Sequence, residues 1–363
     1  MKTVLISTSS LWNCGDDFIR EGVMNLLNLK NNIRILWWNR GYGIKDAYAN
    51  SLKTNLPLID YFIVAGTPQW IYKNIDIYKY CLKKDIPFSL IGVGTRNLYN
   101  YHKNLFNKIK ESDLCEIALA RDNHAYTIFN NIGFKNLDKI PDPAFFMNPI
   151  SDNNETKYNI VGWRKQFWPE AADYGSKFYL RYYKTLPNRI KYLLYKKKDF
   201  RRKRKKYNDL FLDIYQNLFS PKLVMVHDNR EIKDAEDIFG KNNVYYSTDY
   251  KEIFKKYANA NYYIGSRIHG LIPSIIHGAS GDLVYTSNKA DAINTSISIL
   301  NNYTNLKNMV NIHYLKYPLD NNLNLIENQE KNYYFELHEA LKNEKERIRI
   351  KFKGLSYLSK LIK

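Results

Sequence analysis

A chain of 363 residues exceeds one ordinary hydrophobic core and points to two domains of about 150–180 residues each. Its apolar fraction of 45% is that of a globular protein, no apolar stretch approaches the roughly 20 residues of a membrane span, and three cysteines without ligand spacing exclude a disulfide framework and read as free thiols in a reducing compartment. The net charge of +19 is concentrated: Arg189 to Lys206 carries +10 and Lys342 to Lys363 carries +6, so the remainder is nearly neutral.

The N-terminus, Thr3 to Ser7, has a short apolar run broken by Ser7 to Ser10 and reads as a strand, not a signal peptide. Further strands are expected at Ile33 to Trp38, Tyr61 to Ala65, Phe88 to Gly92 and Glu116 to Ala120, with a helix over Phe18 to Leu29. Alternation of apolar strands with helices argues for a parallel sheet covered on both faces. The pattern pauses at Pro141-Asp142-Pro143 and Pro149, and the polar stretch after Ser151 marks a domain boundary. The order then repeats, with strands at Tyr158 to Val161, Leu223 to Val226, Val244 to Tyr246, Tyr262 to Ile264 and Leu283 to Tyr285, and helices at Tyr250 to Tyr257 and Ala290 to Leu300. The expected organisation is an α/β chain of two Rossmann-like, doubly wound domains facing a cleft: residues 1–150, residues 151–330 with a basic insertion at 185–210, and a basic helical tail over 331–363.

Ligands bind such sheets at the C-terminal ends of their strands, and every candidate motif lies there. After the first strand comes Asn13-Cys14-Gly15-Asp16-Asp17, where Gly15 permits close backbone approach and Asp16 or Asp17 is placed to cap the helix. Ala65-Gly66-Thr67-Pro68, Gly92-Val93-Gly94-Thr95 and Arg121-Asp122 follow later strands; for the last, a surface pair with Asp122 as helix cap is the plain alternative. In the second half, Val161-Gly162-Trp163-Arg164 ends a strand with a guanidinium, and Lys289 follows the strand ending at Tyr285. The most informative segment is Ser266-Arg267-Ile268-His269-Gly270. Pro273 suits a first helical turn, so Arg267 and His269 are expected two residues apart in extended chain, on one side, just before a helix N-terminus. A guanidinium, an imidazole and free backbone N–H groups make an anion site with a proton donor. No phosphate-binding loop of the Walker type and no metal-ligand cluster is present in the sequence.

These motifs, in this order and over roughly residues 1 to 290, resemble the polysaccharide pyruvyl transferase family: Asn13-x-Gly15-Asp16, Gly92-Val93-Gly94-Thr95, Ala120-Arg121-Asp122, Pro141-Asp142-Pro143-Ala144, Val161-Gly162-Trp163-Arg164 and Ser266-Arg267-Ile268-His269-Gly270 with Lys289. The resemblance implies a GT-B-like fold and transfer of a pyruvyl group from phosphoenolpyruvate to sugar hydroxyls as a cyclic ketal. It makes His269 the general acid and Arg267 a donor-binding residue, with Arg164, Ser266, Gly270 and Lys289 beside the donor. Asn13, Gly15, Asp16, Gly94, Thr95 and Arg121 then line the acceptor side or the cleft, Asp16 being the candidate base. The scheme needs no metal or other cofactor. The chain departs from the family at Ala65-Gly66-Thr67, where three glycines are frequent, and at Gly281-Asp282-Leu283.

The two basic segments mix charge with apolar residues such as Tyr192, Leu193, Ile348, Phe352 and Leu355. An anionic membrane surface is one partner they fit, at about 1 kcal/mol per basic residue near lipid; a solvated surface is the other reading. Nucleic acid is the weaker partner, since no recognition motif accompanies the charge. A cytoplasmic, membrane-associated protein is the expectation. Two rival functions share the pattern: a GT-B glycosyltransferase using a nucleotide-sugar, and a non-catalytic basic adaptor on membrane or nucleic acid.

Overall fold

The structure, a computed structural model, describes residues 1–8, 13–39, 43–45, 58–66, 74–94, 103–150, 156–165, 198–285, 291–304, 306, 309–314 and 334–363. Thr95, Lys289, Thr67-Pro68 and residues 185–197 of the basic segment lie outside them.

The first sheet has seven strands: β1 (Thr3–Thr8), β2 (Arg34–Asn39), β3 (Gly43–Lys45), β4 (Tyr61–Ala65), β5 (Phe88–Val93), β6 (Cys115–Ala120) and β7 (Leu137–Lys139). Their order is β3-β2-β1-β4-β5-β6-β7, parallel except for β3, which runs antiparallel to β2 at one edge. The second sheet has six: β8 (Tyr158–Gly162), β9 (Lys222–Met225), β10 (Val244–Tyr245), β11 (Ala260–Gly265), β12 (Ser280–Tyr285) and β13 (Val310–Tyr314), in the order β10-β9-β8-β11-β12-β13, all parallel. Each expected strand is present to within three residues at each end. The edge strands β3, β7 and β13 are additions. Strands β4, β5 and β6 are buried at every position, which is why their sequences, Ser89 and Glu116 apart, run apolar without alternation. Two doubly wound α/β domains of GT-B-like architecture are the result.

In each sheet the strand order reverses once, and a crevice opens at that switch point. In the first sheet it falls between β1 and β4, and the helix α1 (Cys14–Leu27) begins there. In the second it falls between β8 and β11, whose C-terminal ends carry Trp163-Arg164 and Ser266-Arg267. Phe18 on α1 packs against His227, Tyr250, Phe254 and Tyr257 of the second domain, with ring centroids 5.7–6.4 Å apart. The two crevices therefore face each other across a shared apolar floor.

Helix α1 begins earlier than the expected Phe18 because Asn13, not Asp16 or Asp17, is its cap: the Asn13 side chain accepts from Gly15 N at 3.3 Å. Asp17 instead pairs with Arg20 at 3.0 Å. The helix stops at Leu27 because Asn28 takes the left-handed conformation, φ 49°. The basic run likewise changes meaning. It lies between β8 and β9, as expected, but its described part opens a helix over Lys198–Asn217 that forms the crossover between them. Tyr207, Leu210, Phe211 and Ile214 of that helix are core residues, while Arg204 pairs with Asp234 at 2.7 Å.

The tail also departs from expectation. The helix Tyr334–Lys353 buries Leu337, Leu341, Ile348 and Phe352, and Leu355, Leu358, Leu361 and Ile362 after it are buried too. It returns to the first domain. Arg349 donates to the carbonyls of Asn25 (2.8 Å) and Leu26 (3.0 Å) at the end of α1, and Arg347 and Lys351 hold Asp138 at 2.5 and 2.6 Å. Glu116 accepts from Tyr357 N and Leu358 N at 2.7 and 2.8 Å. Most of the tail's apolar residues are thus spent inside the protein, while Phe335, Ile350 and Tyr357 stay exposed. Among the described residues no helix is long and apolar enough to cross a membrane.

Candidate functional site

The site is built on the helix Ile268–Ile276, which leaves β11 at the second switch point. The expectation of Pro273 in a first turn does not hold. Pro273 is the sixth residue of the helix, and Arg267 is its N-cap, with φ −116° and ψ 114°. Gly270 N and Leu271 N both donate to Arg267 O, at 3.0 and 3.2 Å, and this fixes the start. Pro273 costs a single helical hydrogen bond, that to His269 O, and Leu271, Ile272, Ile275 and Ile276 are fully buried in exchange. His269 is therefore in the first turn, not in extended chain, and the two side chains diverge.

Arg267 turns into the second domain. Its guanidinium pairs with Glu231, and its Nε donates to Trp163 O at 3.5 Å. Glu231 is 1% exposed; burial raises its carboxyl, and Arg267 and Arg164 act against that rise. The Arg267 guanidinium thus ends on a buried carboxylate on which the charge of Arg164 also acts. Below them His227, at the end of β9, is fully buried with Nε2 2.6 Å from Tyr257 Oη. Burial first, then the charges of Arg267 and His269, holds it well below its usual value, so it is neutral.

His269 turns the other way, across to the first domain. Its Nε2 lies 3.5 Å from Asp142 Oδ2, beyond hydrogen-bond length but within reach of charge. That carboxylate oxygen also takes Arg121 Nη1 at 2.7 Å, and Asp142 is fully buried. Burial would raise the Asp142 carboxyl; Arg121 and His269 outweigh it and hold the group well below the usual carboxylate range. Arg121 is buried, not a surface residue, whereas Asp122 does cap the next helix, accepting from Ala125 N at 2.6 Å. Gly94 backs onto Arg121 and Asp122.

Gly15 meets the imidazole directly. A Cβ there would stand 2.7 Å from His269 Nδ1 and 2.9 Å from His269 Cβ. Gly15→Ala is therefore expected to displace the imidazole, cutting turnover by about 10²-fold through a shift on the order of 1 Å. The accompanying loss of stability should be about 1–3 kcal/mol, and a kinetic assay beside a urea titration reads both. Asp16 stands next to Gly15 in the first turn of α1, its N–H donating to Asn13 O at 3.2 Å. Asn13 serves as the cap of α1. Ser266 Oγ accepts from Tyr207 Oη at 2.8 Å, and Gly270 is buried where a Cβ would meet Tyr263 and Tyr257 Oη; both have packing roles here. The thiol of Cys14 lies in the same region, raised by burial, with Arg267 acting against that rise.

Asp142, Glu231 and His227 were not chosen from the sequence. His227 and Glu231 follow β9, so the strand-end rule applied to Arg164 and Arg267 reaches them as well. Asp142 stands inside one of the motifs above, but its approach to His269 is across domains.

A conserved-family model for polysaccharide pyruvyl transferase matches residues 13–280. The chain belongs to the polysaccharide pyruvyl transferase family. The matched span runs from the cap of α1 through the helix that carries His269, so it contains every described group placed above. Among solved structures, a Methanocaldococcus jannaschii UDP-GlcNAc 2-epimerase in complex with UDP-GlcNAc and UDP superposes with TM-score 0.50 at 11% identity, over 96% of this chain and 99% of that one. The S. aureus MnaA–UDP structure gives TM-score 0.48 at 8% identity, over 99% and 92%. A Neisseria meningitidis UDP-GlcNAc 2-epimerase bound to UDP-GlcNAc gives 0.46 at 12%, over 80% and 85%. At such identities the first speaks to the fold of this pyruvyl transferase family member alone. No curated protein matches the chain in sequence.

Proposed function

We propose that this family member transfers the pyruvyl group of phosphoenolpyruvate to hydroxyls of a sugar in a glycan or its precursor, forming a cyclic ketal. The observation that carries the reading is the pair of arrangements at facing switch points: Arg267 on Glu231, where the charge of Arg164 also acts, and His269 between Asp142 and Gly15. Phosphoenolpyruvate carries a carboxylate and a phosphate, so it needs several cationic or N–H donors. Arg267 would exchange its buried carboxylate partner and, with Arg164, hold the donor's two anionic groups. His269, as general acid, gives a proton to the methylene carbon, whose double-bond electrons form the new C–H bond. The adjacent carbon then takes the oxygen of a sugar hydroxyl, and that hydroxyl loses its proton. A second hydroxyl of the same sugar replaces the phosphate at that carbon, the C–O bond to phosphate breaks, and inorganic phosphate leaves with the second hydroxyl's proton.

The reading is tested by thermal-shift titration with phosphoenolpyruvate. A ligand that binds only the native state raises its stability, by about 2.7 kcal/mol at a hundredfold excess over Kd. A rise in Tm is expected for the wild type and a loss of most of that rise in Arg267→Ala. A response to a nucleoside diphosphate with none to phosphoenolpyruvate would overturn the reading in favour of a nucleotide-sugar enzyme.

A further inference from the structure

We propose that Asp142 is a positioning residue that orients His269 from the opposite domain, presenting its carboxylate to Nε2 and leaving Nδ1 as the nitrogen that delivers the proton. The inference rests on His269 being the general acid of the reaction above. Asp142 is mounted rigidly between two prolines. Its Oδ1 accepts from Ala144 N at 3.0 Å, and its own N–H donates to Ser296 Oγ at 2.8 Å. Ser296 in turn donates to Ala292 O at 2.7 Å, so both domains hold the segment. Arg121 Nη1 occupies one side of Oδ2 at 2.7 Å and the imidazole Nε2 stands on the other at 3.5 Å.

A purely structural account makes Asp142 the counter-ion of Arg121. That account leaves unexplained why the same oxygen faces Nε2, a buried nitrogen with no hydrogen bond of its own. A carboxylate at one ring nitrogen selects the tautomer that carries its hydrogen there. Nδ1 looks the opposite way, to the first turn of α1 at Gly15, where the two crevices meet.

The step balances on this geometry. The imidazolium loses the Nδ1 proton to the methylene carbon of phosphoenolpyruvate, the alkene pair forms the C–H bond, and the ring remains neutral with its hydrogen on Nε2 against Asp142. The proton released by the attacking hydroxyl equals the one consumed. In forming the imidazolium the 3.5 Å gap would close to the 2.7–2.9 Å typical of charge-assisted bonds. The charged and titratable groups around the ring are Asp142 and, behind it, Arg121 from the first domain, with Asp16 beside Gly15; from the second come Arg267 at the head of the same helix and neutral His227, which senses both His269 and Arg267.

The test is Asp142→Asn in the full chain. A fall in kcat of about 10²-fold is expected, with KM for phosphoenolpyruvate changed less than about threefold. A lower yield of active enzyme with kcat per active molecule unchanged would show a structural residue only and overturn the proposal. Because this variant also strands Arg121, the wild type supplies a second reading: nitrogen-15 NMR of labelled histidine, assigned by the signal missing in His269→Gln. The neutral ring should carry hydrogen on Nε2; hydrogen on Nδ1 overturns the proposal. A wild type that gives no thermal shift with phosphoenolpyruvate would count against the donor, and the NMR result is independent of it.

Discussion

His269→Ala is expected to lower turnover by about 10²–10⁴-fold, the usual contribution of a positioned general acid, with the fold retained. The fold is retained because the helix is anchored by Leu271, Ile272, Ile275 and Ile276, all fully buried, while the side chain of His269 is 18% exposed at its first turn. The imidazole is also not needed to neutralise Asp142, since Arg121 already holds that carboxylate at 2.7 Å. Rates of ketal formation on a purified variant, beside a thermal melt, measure both halves. A variant that turns over at the wild-type rate removes His269 from the chemistry. A variant that unfolds instead would show that the His269–Asp142 contact matters more to structure than a 3.5 Å separation implies.

The parts of this site legible in the sequence are those set by local chain. Strand ends were readable because β4, β5 and β6 are largely apolar runs, broken only by Ser89 and Glu116, and a doubly wound sheet puts its functional groups just beyond them. This placed Arg164, Arg267 and His269 at one switch point and Asn13, Gly15 and Asp16 at the other. Pairings across the cleft were not readable. Nothing local says that the carboxylate of Asp142 meets an imidazole 127 positions later, or that Arg267 ends on Glu231. The helix start at Ile268 escaped for a related reason: burial of four apolar side chains outweighs one hydrogen bond lost to Pro273, and burial is a tertiary quantity. The same holds for the tail. Alternating basic and apolar residues fit a lipid surface as well as they fit the end of α1, and only the fold shows Arg349 closing the carbonyls of Asn25 and Leu26.

Breaking the ion pair beneath the site should have the largest effect on stability. Arg121→Met leaves the fully buried Asp142 carboxylate without its strongest partner, at a cost of about 3–5 kcal/mol. That is a large share of the roughly 5–15 kcal/mol that holds an ordinary domain together. The cost should depend on pH in a definite direction. Asp142 is held well below the usual carboxylate range in the wild type, so its stabilisation is complete above the unfolded value near 3.9 and is lost only as pH falls through the depressed folded value. In the variant, burial acts with little opposition and raises the same carboxyl, which then takes up a proton at higher pH. The gap between wild type and variant is therefore expected to be widest near pH 7 and to narrow on acidification. Urea denaturation at pH 7, 5 and 4 measures it. Adding Asp142→Leu to Arg121→Met removes the stranded charge and should restore much of the stability, since replacing both members of a buried pair is often neutral. That double variant would still lack the group that faces His269 Nε2, so stability should return without turnover. A gap that stays constant with pH, or a double variant no firmer than the single, would place the source of the loss in the packing of the Arg121 side chain and not in its charge.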